Sequence, residues 1–221
     1  MNITLLLTAI FIVCSVMLMP SASRAHEGHD HAAHAQHSLE AQSHDHPVQA
    51  SQAEAKFGNY ERSLHVYLVP AATLTNADAR TVRIDRLLAA DGPVILDFIF
   101  TSCSTICPVM SREIAMVPKK LGAAAKKLHM ISVSIDPDND TPAQLKAYAK
   151  QIGAGANWQF LTGSKVEIEN MKHAFDFDHG DQLEAAPLIF LRPAPGQPWV
   201  RINGLASAEE LAGEFRKVGS N

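Results

Sequence analysis

Residues 93–108 read PVILDFIFTSCSTICP, and this stretch decides the fold. Residues 93–100 form a short apolar run of the kind found in strands that are buried on both faces of a sheet. Helical character follows over residues 108–128, where apolar side chains recur at three- and four-residue steps. Cys103 and Cys107 therefore lie on the loop and first helical turn beyond the carboxyl end of a strand, where open α/β sheets gather ligand-binding and catalytic groups.

The four-residue separation of Cys103 and Cys107 allows two kinds of chemistry. If both residues are helical, they share one face of the helix with Cβ atoms about 5–6 Å apart. A small adjustment would then permit either a disulfide or the binding of one metal ion by both sulfurs. The amino terminus of a helix favours the thiolate, which is both the nucleophile of disulfide exchange and a soft ligand for Cu(I). A purely structural disulfide is the third interpretation.

The remainder of the chain alternates between strand and helix patterns. Pro118 should kink or interrupt the helix after the cysteines. A capping box of Thr141 and Gln144, with Pro142 at the first helical position, predicts a helix that ends near Gly153. Ser207 starts the last helix in the same way. Further strands are predicted over 128–135, 158–161, 187–191 and 199–202, with a weaker one over 81–84, and a further helix over 164–174. This order predicts an α/β fold, a sheet flanked by helices.

The first 25 residues have the pattern of a secretory signal peptide. An apolar run over residues 3–19 precedes the small residues Ser23 and Ala25, which predicts cleavage before His26. An uncleaved membrane anchor is the alternative, because about 17 apolar residues approach the length of a short membrane span. Either outcome places the protein in the periplasm or at the outer face of the cytoplasmic membrane, where two remaining thiols tend to oxidise.

Residues 26–56 are rich in histidine and poor in large apolar residues, which predicts a disordered arm before a domain over 57–221. Neutral imidazoles bind Cu(II), Zn(II) and Ni(II), so the arm could load or buffer copper, or it could serve only as a solvated spacer. The formal net charge of −4 and the absence of a basic stripe argue against a nucleic-acid partner. The seven histidines of the arm are His26, His29, His31, His34, His37, His44 and His46.

Three stretches resemble the Sco/SenC family of exported, copper-handling proteins: residues 94–110, residues 131–142 and residues 158–163. The resemblance covers about residues 60–218 and implies a thioredoxin-like fold. It also implies copper, as Cu(I) or Cu(II), and a role in supplying it to the Cu(A) centre of cytochrome c oxidase, or in reducing the cysteines of that centre. Cys103 and Cys107 match the two sulfur ligands of the family, which are also its redox pair. Asp136 and Asp140 match an acidic loop near the site, although Asp140 could be only a turn residue before a helix cap.

The chain departs from the family at the third copper ligand, because Ala185 occupies the position of the family's histidine. His179 or a histidine of the arm, such as His26, His29 or His31, could supply this donor instead. Alternatively, the protein could work as a thiol–disulfide oxidoreductase on a periplasmic thiol protein, with Cys103 as the attacking thiol. Pro187 favours this alternative slightly, since it resembles the cis-proline that faces the thiol pair in thioredoxins. A third hypothesis makes the arm a metal scavenger and the main functional part.

Overall fold

The structure is a computed structural model that describes residues 57–177 and 187–218. Their eight-stranded sheet has the order β1-β8-β7-β4-β5-β6-β2-β3. The strands are β1 Asn59–His65, β2 Thr73–Asn76, β3 Thr81–Arg83, β4 Val94–Ile99, β5 His129–Ser134, β6 Trp158–Thr162, β7 Leu188–Arg192 and β8 Trp199–Leu205. The helices are α1 Ile84–Leu88, α2 Ile106–Leu121, α3 Pro142–Gln151, α4 Lys165–Ala174 and α5 Ala208–Val218.

The sheet is mixed, and its three parallel strands lie at its centre. β4 pairs in parallel with β5, and β5 with β6, so α2 and α3 are the crossover connections. On its other side β4 pairs antiparallel with β7, which pairs antiparallel with β8. The loop after Ile99 therefore leaves the centre of the sheet at its carboxyl end, where it is surrounded by other elements.

Helices cover both faces of the sheet and form a separate apolar core on each side. On one face Phe98 and its alternate neighbours in β4 pack with α1 and α4 in a cluster that includes both cysteines. On the other face Ile95 and Ile99 pack with residues of α2, α3 and α5. Burial on both faces explains the continuous apolar run that identified β4 in the sequence.

Most predicted elements are confirmed within a residue or two. Thr141 and Gln144 form the expected reciprocal capping box, and the hydroxyl and amide of Ser207 both donate to Glu210. α2 is shorter than predicted, because Pro118 lies in its last turn and a 3-10 helix, Gly122–Lys127, follows. β1, β2 and α1 were not predicted. β1 is largely exposed, and β2 is a four-residue strand with one buried apolar residue, Leu74, so neither strand has a clear apolar pattern.

Among the residues that the structure describes, no helix has the length and apolar character needed to cross a membrane. The predictions for the signal peptide and the histidine arm concern residues 1–56, which lie outside this part of the chain.

Candidate thiol site

The two cysteines lie at the junction of β4 and α2. Cys103 is on the connecting loop, and Cys107 is in the first turn of α2. Only Cys107 is therefore helical, so the case in which both cysteines share one helix face does not apply. The backbone N–H of Cys107 donates to Sγ of Cys103 over 3.3 Å. The side chains are only 7% and 4% exposed, and no disulfide joins them. The loop thus brings both sulfurs to one place, with Cys103 held at the open amino end of the helix.

The surroundings of the two thiols separate their pKa values. Burial would raise the pKa of Cys103, but hydrogen bonds from the Cys107 thiol and from the amides of Cys107 and Thr105 outweigh it and lower that pKa. Burial, followed by the donation of its proton to Cys103, raises the pKa of Cys107 far above its usual value. Cys103 is therefore the more acidic thiol of the pair, and Cys107 is the less acidic thiol that donates a hydrogen bond to it.

A buried carboxylate, Asp140, fixes the start of the thiol loop. Its oxygens accept hydrogen bonds from the backbone amide and the hydroxyl of Thr101, and from the Ser134 hydroxyl at 2.6 Å. Thr101 precedes Cys103 by two residues, so Asp140 ties the loop after β5 to the loop after β4. Asp140 is thus more than a turn residue, because it positions the thiol loop.

A second buried carboxyl group, Asp97, lies in β4 on the face that packs against α2 and α3. Ser132 donates to its Oδ1 over 2.6 Å, and the indole N–H of Trp158 donates to Ser132 over 2.9 Å. The other oxygen, Oδ2, has no hydrogen-bond partner within the described residues. Complete burial raises the pKa of Asp97 to about 7, and its negative charge contributes to the raised pKa of Cys107.

An open cavity of about 410 Å³ lies beside Cys103. Hydroxyl residues of the thiol loop line one side, and Tyr148 and Gln151 of α3 line another. The Tyr148 hydroxyl is 2.8 Å from that of Ser111, and burial raises the pKa of this phenol. The sulfur of Cys103 is therefore approached through a polar recess rather than from a flat surface.

The structure brings together only part of the predicted metal site. His179 and Ala185, like His26, His29 and His31, lie outside the described residues. Asp136 accepts hydrogen bonds from the Asn139 side chain at 3.0 Å. Within residues 57–177 and 187–218 no group of three or more metal-binding side chains is present, so the described donor set is the two sulfurs alone.

Sequence reasoning missed several residues that shape this site. Asp97 is a single acid inside an apolar run predicted to be buried on both faces, and that conflict was the signal that could have identified it. Tyr148 and Ser134 carried no comparable signal, because their contacts join segments that are distant in sequence. Pro187 precedes β7, and its carbonyl oxygen accepts a hydrogen bond from the Gly204 amide. The prediction that Pro187 is a cis-proline concerns the peptide bond to Ala186, which lies outside the described residues.

Comparison with known proteins identifies a single family. The model of the SCO1/SenC family matches residues 65–218. The SCO1 protein homolog of Bacillus subtilis is 44% identical over 106 residues, which are 47% of this chain and 53% of that protein. A protein of Stutzerimonas stutzeri that is provisionally named a copper-binding protein is 35% identical over 81 residues. The match covers 36% of this chain and 39% of that protein. This chain thus spans about half or less of the curated relatives that it matches.

Solved structures agree with the observed architecture. BsSco, described as a member of the Sco family of cytochrome c oxidase assembly proteins with a disulfide switch, superposes with a TM-score of 0.60. It is 31% identical, over 72% of this chain and 96% of that one. ScoI of Bradyrhizobium japonicum, solved with copper bound, is 25% identical with a TM-score of 0.52, over 66% and 95% of the two chains. These superpositions confirm the predicted thioredoxin-like fold.

Proposed function

The chain belongs to the SCO1/SenC family, and from that premise we propose that it binds copper through Cys103 and Cys107 and delivers it to the Cu(A)-bearing subunit of cytochrome c oxidase. The observation that carries the proposal is the paired burial of two unlike thiols at the amino end of α2. The family supplies the target, since BsSco is described as a cytochrome c oxidase assembly protein and ScoI was solved with copper.

The donor set suits Cu(I). Thiolate sulfur is a soft ligand that favours Cu(I) over hard cations, and the lowered pKa of Cys103 makes its thiolate easier to form. Cys107 would lose its proton on binding, because metals bind the thiolate rather than the thiol. Copper here is the cargo: transfer would proceed as partner thiols replace Cys103 and Cys107 one at a time. The third donor would come from His179 or from the histidine arm, through His26, His29 or His31.

A copper titration tests this function. Reduced protein should bind one Cu(I) tightly, and Cys103→Ser and Cys107→Ser should each abolish that tight binding. Met116→Leu is a matched control, because it removes an exposed sulfur from the same helix. X-ray absorption spectra then identify the donors: two sulfurs and a nitrogen indicate a third ligand, which variants of His179 and of the arm would locate. Retention of the tight site in both cysteine variants would disprove the proposal.

Thiol–disulfide exchange is the second candidate function, and the unequal pKa values of the two thiols favour it. The Cys103 thiolate would attack a disulfide of a periplasmic protein and form a mixed disulfide, releasing one partner thiolate. Cys107 would then attack Cys103, release the second partner thiol and leave a Cys103–Cys107 disulfide. Trapping of partners by Cys107→Ser, but not by Cys103→Ser, would support this function, and a complete lack of exchange would oppose it.

Export and metal buffering by the arm complete the proposal. The sequence before residue 57 supports export to the periplasm or to the outer face of the cytoplasmic membrane, with a retained anchor as the alternative to cleavage. Deleting residues 26–46 should lower the number of weakly bound Cu(II) ions while the two sulfurs still bind Cu(I), and it should remove the nitrogen donor only if the arm supplies it. If that deletion alone removed the copper phenotype and the cysteine variants did not, the arm would be the functional part.

A further inference from the structure

The cavity beside Cys103 has one charged residue in its lining, Arg112. Its other walls are hydroxyl residues of the thiol loop, Pro108 and Val109 at the start of α2, and Tyr148 and Gln151 from α3. At about 410 Å³ the recess can hold a few residues of an extended chain, and it opens at the more acidic thiol. Arg112 and Cys103 line the same recess, so a partner segment that occupies it meets both the guanidinium group and the thiol.

The Arg112 side chain has no ion pair or hydrogen bond within residues 57–177 and 187–218, and it is exposed. Eight other basic residues in the described region pair with carboxylates, whereas Arg112 belongs to the exposed basic residues without an ion pair. Nearby Glu113 on the same helix is engaged elsewhere, since its carboxylate accepts the Ala208 amide at 2.7 Å. The positive charge in the wall of the recess is therefore available to a partner.

We propose that this recess is the docking site for an extended partner segment that carries a carboxylate next to its cysteine or disulfide, with Arg112 as the residue that selects it. The inference rests on the proposed thiol function, and it adds the charge of the preferred partner. Arg112 attracts the segment as it approaches, and the hydroxyl, amide and apolar walls accept a peptide without demanding one sequence. Arg112 takes no part in the bond changes at sulfur.

Three small disulfides of similar size test the selection. Dithiodipropionate carries a carboxylate at each end, hydroxyethyl disulfide is neutral, and cystamine carries an ammonium group at each end. In each reaction the Cys103 thiolate breaks the reagent's S–S bond and releases one thiolate. Cys107 then closes the protein disulfide, releases the second thiol and loses its proton, so two electrons pass to the reagent. Rates are measured by quenched mass spectrometry with the reduced, copper-free full chain.

Arg112→Gln should slow the reaction with dithiodipropionate by about threefold to tenfold, as expected for one charge near the attacking sulfur. The rate with hydroxyethyl disulfide should stay unchanged and the rate with cystamine should rise. Arg112→Glu should reverse the order of the two charged reagents, and the effects should shrink at high salt. Arg86→Gln is the matched control, because this exposed arginine lies on α1.

Equal effects of Arg112→Gln on all three reagents, or none, would overturn the docking inference and leave the thiol function intact. A wild-type protein that reacts with none of the reagents would instead contradict the thiol–disulfide function itself. These two failures are distinguishable, because in the first the wild-type protein still reacts with the reagents and in the second it does not.

Discussion

Replacement of Asp97 by asparagine should remove most of the loss of stability that the protein shows as pH rises from 5 to 8. Burial raises the pKa of Asp97 from its ordinary 3.8 to about 7. The folded protein therefore keeps this carboxyl group neutral while the unfolded chain ionises it. Over that interval the unfolded state binds fewer protons than the folded state, so the free energy of unfolding falls as pH rises. Above about pH 7 both states are ionised and the penalty is constant.

The size of the effect follows from the two pKa values. Each pKa unit corresponds to about 1.4 kcal/mol, so the full penalty is about 4 kcal/mol. About 3 kcal/mol of it falls between pH 5 and 8. Other carboxylates in the described region, such as Glu214 and Asp85, have lowered pKa values. They stabilise the folded state at pH values above their unfolded pKa, and this stabilisation is lost only as the pH falls below that value. Among the carboxyl groups with a shifted pKa, the chosen window therefore isolates Asp97.

Urea unfolding of reduced protein in the presence of a copper chelator, at several pH values, measures the effect. Asp97→Asn keeps an acceptor for Ser132 and should give a nearly flat profile from pH 5 to 8. Asp138→Asn, a change at an exposed carboxylate paired with Lys165, is the control and should retain the wild-type slope. If Asp97→Asn declined with pH as steeply as the wild type, the assignment of a neutral buried carboxyl group would be refuted.

Three further outcomes are expected. Iodoacetamide should modify Cys103 at a pH where Cys107 does not react, because hydrogen bonds lower the pKa of the first thiol and burial raises that of the second; equal rates by mass spectrometry would contradict this. Asp140→Ala should lower the free energy of unfolding in urea by about 2–4 kcal/mol, because it removes the acceptor of a buried hydrogen-bond network. Hydrogen exchange at the Thr101 amide should become faster. A loss below about 1 kcal/mol would show that other contacts hold the loop. Gly92→Ala should destabilise the fold by more than about 3 kcal/mol, because φ is +110° and an added Cβ would lie 2.4 Å from the Lys127 carbonyl oxygen. Gly122→Ala, at φ +58° with open space around it, is the control, and its cost should stay near 1 kcal/mol; similar losses for both glycines would refute the steric explanation.

Local signals in the sequence were enough to locate the thiol pair and most of the elements around it. β4 was visible because a strand buried on both faces needs a continuous apolar run, and α3 because Thr141 and Gln144 satisfy each other's backbone amides. Edge strands such as β1 escaped detection because exposure on both faces removes the alternation that marks a strand. The family resemblance supplied the thioredoxin-like topology and the Cu(A) centre as target, which no spacing of residues could supply.

The sequence by itself determined that two cysteines would meet where a buried strand passes into a helix, since chain connectivity and hydrophobic pattern are local properties. Only the tertiary structure decided which cysteine is the more acidic, because that depends on which amides and thiol face each sulfur. It also decided that Asp140 holds the thiol loop and that Arg112 lines the recess beside Cys103. Hydrogen bonds and electric fields act through space, so they depend on the exact folding of the thiol loop and on residues as distant in sequence as Asp140 is from Thr101.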